Sequence, residues 1–163
     1  ASGSYFAATM SLGRDQRIYR DWRFVVRADG QWANEPLISN EQYSLGGMGG
    51  VRGYNEGTRF GDTGWRVTSE VRSPAYSLDH IQNGWAVTEP IKIRGVFFMD
   101  YGRSHLLEPG GRIESASLWG TGFGTYVTCG ELLDFRFLLA WPLAENVNST
   151  GTMRIYFGVG MQF

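Results

Sequence analysis

The sequence predicts an all-β protein, an antiparallel barrel wall that crosses a membrane as strands, and three observations point there. Apolar and polar residues alternate with a period of two in four separate segments, as side chains do on opposite faces of a strand. Glycine occurs 23 times, and NEP, NG, EPGG and CG break the chain into pieces too short for long helices. The apolar faces carry bulky Phe, Trp, Leu and Met over a full crossing, and Trp22, Trp32 and Trp141 stand near strand ends, where aromatic girdles sit. Alternation by itself fits a soluble sandwich equally well, since that fold also turns apolar residues in and polar residues out.

Taken in order, a first, fuzzy strand is expected over residues 5–12. The second, Trp22–Ala33, places Trp22, Phe24, Val26, Ala28 and Trp32 on one face and Arg23, Arg27, Asp29 and Gln31 on the other. A long glycine-dense segment, residues 34–64, follows and then a short strand over 65–71. Between 92 and 103, Ile93, Phe97, Met99 and Tyr101 share one parity and Lys92, Arg94 and Asp100 the other, with Val96 and Phe98 as apolar exceptions on the polar side. A further strand is expected over 115–128. In residues 132–141, Leu133, Phe135, Phe137, Leu139 and Trp141 alternate with Asp134 and Arg136. In 152–163, Met153, Ile155, Phe157, Val159, Met161 and Phe163 oppose Thr152, Arg154, Tyr156, Gly158, Gly160 and Gln162. This makes about seven strands, of a length suited to a tilted crossing of about 9–11 residues.

Loop lengths orient the barrel. With Phe163 at the periplasmic side, the Cys129-Gly130 turn is periplasmic, the connections 108–111 and 144–151 face outward, and residues 34–64 leave from the outside. The connection 75–89 is longer than a periplasmic turn should be.

Composition narrows the function. Lys+Arg 15 against Asp+Glu 16 gives a net charge of -1, with no basic surplus to neutralise nucleic acid. Cys129 is the single cysteine, so neither a disulfide framework nor a thiolate zinc site can form within one chain, and His80 and His105 lack ligand spacing. No stretch reaches the ~18 apolar residues of a membrane helix. The opening ASGSYF carries no targeting signal, which suggests a mature or excised piece. DTG at residues 62–64 matches an aspartic-protease triplet without the apolar strand expected before it. Gly120, Gly122 and Gly124 echo a dinucleotide fingerprint but precede no helix, which leaves a barrel kink. Asn148-Ser149-Thr150 reads as a polar loop. None of these supports catalysis, and no metal or other cofactor is expected.

The long segment reads EQYSLGGMGGVRGYNEGTRFGDTGW, with Arg52 and Tyr54 amid the glycines, as suits a loop folded against walls. VRGY at Val51, Arg52, Gly53 and Tyr54, flanked by EQYSLGG, by GDTGW with Asp62 and Gly64, and then by SEVRSP, resembles the signature loop of the two-partner-secretion transporters, the haemolysin and adhesin translocators of the outer-membrane assembly superfamily. FMDYG downstream matches that superfamily's F-x-D-x-G strand. The likeness extends through SLGRDQRIYRD and GQWANEPLISNEQYSLGG to the terminal aromatic, so it covers essentially the whole chain.

The resemblance implies a barrel of 16 strands whose sixth extracellular loop tucks into the lumen and holds the VRGY arginine against a wall aspartate. In this sequence these are Arg52 and Asp100, with Phe98, Gly102 and Glu70 on the wall around them. A buried arginine needs such a partner, and Val96 and Phe98 would pack against the loop's apolar residues. The competing arrangement pairs Asp100 with Arg94 or Arg103 and leaves Arg52 solvated. The ending YFGVGMQF resembles an assembly signal carried by Gly158, Met161 and Phe163, equally an ordinary amphipathic last strand.

The resemblance further implies a non-enzymatic transporter of the bacterial outer membrane that passes a secreted exoprotein. Its other partners would be outer-membrane lipid and the barrel assembly machinery. A role in inserting barrel proteins, or in anchoring an upstream patatin-like lipase, are the alternatives. All 163 residues read as the C-terminal part of one barrel domain without its upstream periplasmic domains. About seven strands cannot close such a barrel, so the remaining strands or a second copy are required, and the chain is not expected to transport alone.

Overall fold

The computed structural model describes residues 5–78, 91–130, 132–143 and 152–161. It contains ten strands among them: β1 (Ala7–Tyr19), β2 (Trp22–Ala33), β3 (Tyr43–Leu45), β4 (Arg59–Gly61), β5 (Thr63–Arg72), β6 (Tyr76–Ser77), β7 (Ile91–His105), β8 (Ser115–Cys129), β9 (Leu133–Pro142) and β10 (Arg154–Met161). No described helix is long and apolar enough to cross a membrane. Seven long strands form an antiparallel meander in the order β1-β2-β5-β7-β8-β9-β10, with β6 pairing β7. The seven expected strands are all present. β3 and β4 form a separate two-stranded ribbon within the long loop.

β1 runs past residue 12 to Tyr19. The charged run Arg14-Asp15-Gln16-Arg17 hides any apolar period, yet its backbone pairs with β2 residue by residue, which overrides the pattern. The strands join through Arg20 and Asp21, where Arg20 holds φ at 49° in place of the glycine or asparagine that would have marked a tight hairpin.

Parity decides the faces. Phe97, Phe123, Ile155 and Phe157 point outward and are exposed, while Val96, Phe98, Asp100 and Leu138 point inward and are buried. A monomeric soluble sandwich would not leave such a continuous apolar face in water. On that face Trp65 meets Tyr101 in a T-shaped contact and Tyr101 meets Trp119 in a tilted one, with centroids 5.2 and 4.4 Å apart. Together with Trp32 and Trp141 they occupy strand ends at the rim from which the long loop departs.

Register assembles the inner face in rungs. Val25, Glu70, Phe98, Gly122 and Ala140 lie side by side on one rung, and Arg27, Thr68, Asp100, Gly120 and Pro142 on the next toward the loop's rim. Residues 34–62 and 106–114 meet at that rim, the turns at 20–21 and 130 lie at the opposite end, and residues 79–90, 144–151 and Phe163 fall outside the described region. β8 keeps unbroken register with both neighbours through Gly120, Gly122 and Gly124. The three glycines therefore introduce no bulge. They clear space on the inner face.

Candidate functional site

The long loop folds back over that inner face. Leu45, Val51 and Tyr54 bury themselves with Leu118 in a small apolar cluster against β8. Gly102 forms part of its floor, where an added Cβ would come within 2.7 Å of Leu45 and 3.1 Å of Val51. At Gly120 the Arg52 carbonyl lies where a Cβ would be. Gly53 adopts φ of 99°, the left-handed region, and its missing Cβ lets the loop pass the β9 backbone at Trp141 and Pro142. These contacts seat the VRGY turn on the wall.

Arg52, 5% exposed, is then enclosed by acceptors. Its Nε and Nη2 donate to the two carboxylate oxygens of Asp100, each at 2.7 Å, and its backbone N–H donates to Oδ2 at 3.0 Å. Nη1 donates to Glu70 Oε1 at 2.8 Å. The guanidinium also lies over the Phe98 ring, 3.6 Å from its centroid. Glu70 in turn accepts from Arg72 Nη2 at 2.6 Å and from Tyr126 Oη at 3.2 Å. Burial opposes the Arg52 charge, but the hydrogen bonds and charges of Asp100 and Glu70 outweigh it and raise its pKa further above its high ordinary value. The fork of Arg52 thus bridges two strands, β5 and β7, from one loop. Arg52 is not solvated, and Asp100 is occupied by the loop.

Phe98 and Val96 pack otherwise than expected. With Leu138 and Ala140 they form a second cluster within the wall, bordered by Tyr126 and Tyr156, so the loop's apolar residues rest elsewhere. Gly120 and Gly122 explain why, since a wall without side chains at these points leaves room for the Arg52 backbone and the Phe98 ring.

Asp62 and Gly64 hold the loop's exit. The Asp62 carboxylate accepts from the Leu37 amide at 2.8 Å, the Gln42 side chain at 2.9 Å and the Leu107 amide at 2.8 Å, so it ties two loops together. Burial opposes its ionisation, but Gln42, the two amides and nearby Arg112 prevail and hold its carboxyl below the usual carboxylate value. Gly64 lies under the Tyr43 ring, while the Tyr43 hydroxyl donates to Asp29 at 2.6 Å and Arg66 donates to the same carboxylate at 2.7 Å. His105 Nδ1 sits 2.9 Å from Ser115 Oγ.

Two residues that sequence reasoning did not single out come from the last strand. The Tyr156 hydroxyl donates to the Tyr54 carbonyl at 3.0 Å and accepts from the Gly53 amide at 3.0 Å. Arg154 Nε donates to the Gly53 carbonyl at 3.2 Å. Their polar parity was the only available signal. Gly158 shares that parity and faces Met48 of the loop, whereas Met161 points outward and Phe163 lies outside the described residues.

Comparison with known proteins adds the following. The family model described as haemolysin secretion/activation protein ShlB/FhaC/HecB matches residues 3–127. The heme/hemopexin transporter protein HuxB of Haemophilus influenzae is 26% identical over 146 residues, which is 85% of this chain and 24% of that protein. The outer membrane transporter CdiB of Escherichia coli is 29% identical over 113 residues, 69% of this chain and 17% of that protein. The solved structure of CdiB from Acinetobacter baumannii matches with a TM-score of 0.64 at 18% identity over 96% of this chain and 27% of that one, a likeness of fold. The chain spans about a quarter or less of the length of the curated relatives it matches.

Proposed function

The chain belongs to the haemolysin secretion/activation family ShlB/FhaC/HecB, and from that membership we propose that it is the C-terminal part of a bacterial outer-membrane barrel that secretes a partner polypeptide of the haemolysin or adhesin type. The observation that carries this reading is the loop held on the inner face of the sheet by Arg52, Asp100 and Glu70. A buried ion pair of this kind is costly to assemble and is better suited to specifying one loop position than to raising stability. We take the pair to fix the working conformation of the pore.

The rest of the inner face fits a route for a polypeptide. Beyond the apolar cluster around Phe98 it carries charged side chains, among them Arg27, Arg72, Arg94, Asp134 and Arg136, and its buried carboxylates Asp100 and Glu70 are engaged in holding the loop, which favours a non-enzymatic reading. The outward apolar face and its aromatic rim suit lipid. β1 and β10 end the described sheet, and open edges are not tolerated in hydrocarbon, so further strands of the protein or of a second copy complete the wall. β10 also suits recognition by barrel assembly machinery through strand addition.

Deletion of the full-length protein tests the reading. Loss of one exported polypeptide from the medium, with resident barrel proteins at normal levels, is the expected result. A general fall in barrel proteins with the exported partner unaffected would instead establish an insertion role.

A further inference from the structure

The chain is nearly neutral, yet its charges are segregated along the inner face. A cavity of about 290 Å³ is lined by five arginines, Arg23, Arg27, Arg72, Arg94 and Arg136, against one carboxylate, Asp134. Four of the five sit on rungs nearer the turns at 20–21 and 130 than Glu70 does, and Arg27 reaches in from the rung of Asp100. Arg23 is paired with Asp15 at 2.8 Å and Arg72 with Glu70 at 2.6 Å. Asp134 accepts from the Thr128 hydroxyl at 3.2 Å. Among the described residues, Arg27, Arg94 and Arg136 have no carboxylate within 4.0 Å. The Tyr126 hydroxyl, bonded to Glu70, borders the same space.

Three unneutralised guanidinium groups around one concavity repel each other, and an anion placed among them relieves that repulsion while gaining charge-assisted hydrogen bonds. Low-dielectric walls focus such a field and raise the local concentration of the opposite charge. In the orientation adopted above, the cavity faces the periplasmic mouth, where an exported chain enters, with the Arg52 lock beyond it. An extended polypeptide passing along this wall places side chains at a spacing that several arginines can engage together.

We propose that this arginine cavity receives a carboxylate-rich stretch of the exported polypeptide on entry, an inference that rests on the transport reading. The recognition is electrostatic, so it takes acidic segments generally and gives direction to the first step of passage.

The test uses the full-length protein in planar bilayers with a deca-glutamate peptide added from the periplasmic side. Expected is a concentration-dependent block at a peptide concentration at least roughly tenfold lower than in the triple variant Arg27→Gln/Arg94→Gln/Arg136→Gln. The charge-retaining triple Arg→Lys variant, which guards against a folding defect, should block like the parent. Equal block in parent and Gln variant, equal potency of deca-lysine, or equal block by inorganic sulfate would each overturn the inference. A conducting parent that no acidic peptide blocks overturns the inference alone, and a parent that does not conduct overturns the transport reading together with it.

Discussion

Arg52 and Asp100 meet through three hydrogen bonds, two from the guanidinium fork at 2.7 Å each and one from the Arg52 backbone at 3.0 Å, in a space where both side chains are almost wholly buried. Removing Arg52 leaves the buried Asp100 carboxylate without its partner, and removing Asp100 leaves Arg52 with Glu70 alone, a defect that costs up to about 3–5 kcal/mol. Arg52→Ala and Asp100→Ala should therefore free the loop, seen as new protease cleavage within residues 46–58 of the intact protein, and secretion should fall by roughly tenfold or more. The swap Arg52→Asp with Asp100→Arg should recover only part, because a carboxylate at position 52 then faces Glu70, which now binds Arg52 Nη1 at 2.8 Å. No recovery at all would assign the pair a role other than pairing.

A methyl group at Gly120 provides an independent displacement of the loop. A Cβ there would collide with the Arg52 carbonyl, while β8 itself is regular and can accommodate alanine. Gly120→Ala should cost about 1–3 kcal/mol of loop seating, as overpacking usually does, and leave the wall folded. Loop cleavage rising while resistance of the barrel to heat and detergent stays at its parental level is the expected pattern. Unchanged loop protection would show that the loop seats at a greater distance than described.

Tyr156→Phe isolates the last strand's hold on the loop. Its hydroxyl satisfies both the Gly53 amide and the Tyr54 carbonyl, so its loss leaves two part-buried backbone groups without this partner, at about 1–3 kcal/mol. Secretion and loop protection should both fall, though less than for Arg52→Ala. An effect equal to that of Arg52→Ala would mean that the hydroxyl, and not the ion pair, dominates the docking.

Sequence alone made the wall legible because a strand with one lipid-facing side must alternate, and the faces of β7 and β9 follow from that alternation. It was less informative where polar runs carried the strand, as at residues 13–19. Arg52 and Asp100 were identifiable only through their flanking motifs, since their 48-residue separation has no periodic signature. Tyr156 and Arg154 illustrate the limit. Parity assigned them to the inner face, but their loop partners lie 102 and 101 residues away, a distance closed only by how seven strands stack in order. The three inward glycines of β8 were ambiguous for a related reason. A missing side chain marks a close approach or a bend equally well, and only the position of Arg52 reveals the approach at Gly120.

Asp62 makes the loop region sensitive to acid, with a sign set by its environment. Its carboxylate is held below the ordinary value of 3.8 because the folded state supplies three donors to the charged form, and burial, which acts the other way, does not overcome them. The unfolded or undocked chain therefore binds the proton first as pH falls, so the contribution of Asp62 is fully present above its ordinary value and is lost below it as the folded pKa is crossed. Amide hydrogen exchange at Leu37 and Leu107, corrected for intrinsic rate, should show protection at pH 5 that drops by pH 3. In Asp62→Asn the protection should be weaker at pH 5 and nearly independent of pH over the same interval. A parallel acid-induced loss in that variant would place the titrating group elsewhere and remove Asp62 as the link between residues 34–42 and the 106–114 turn.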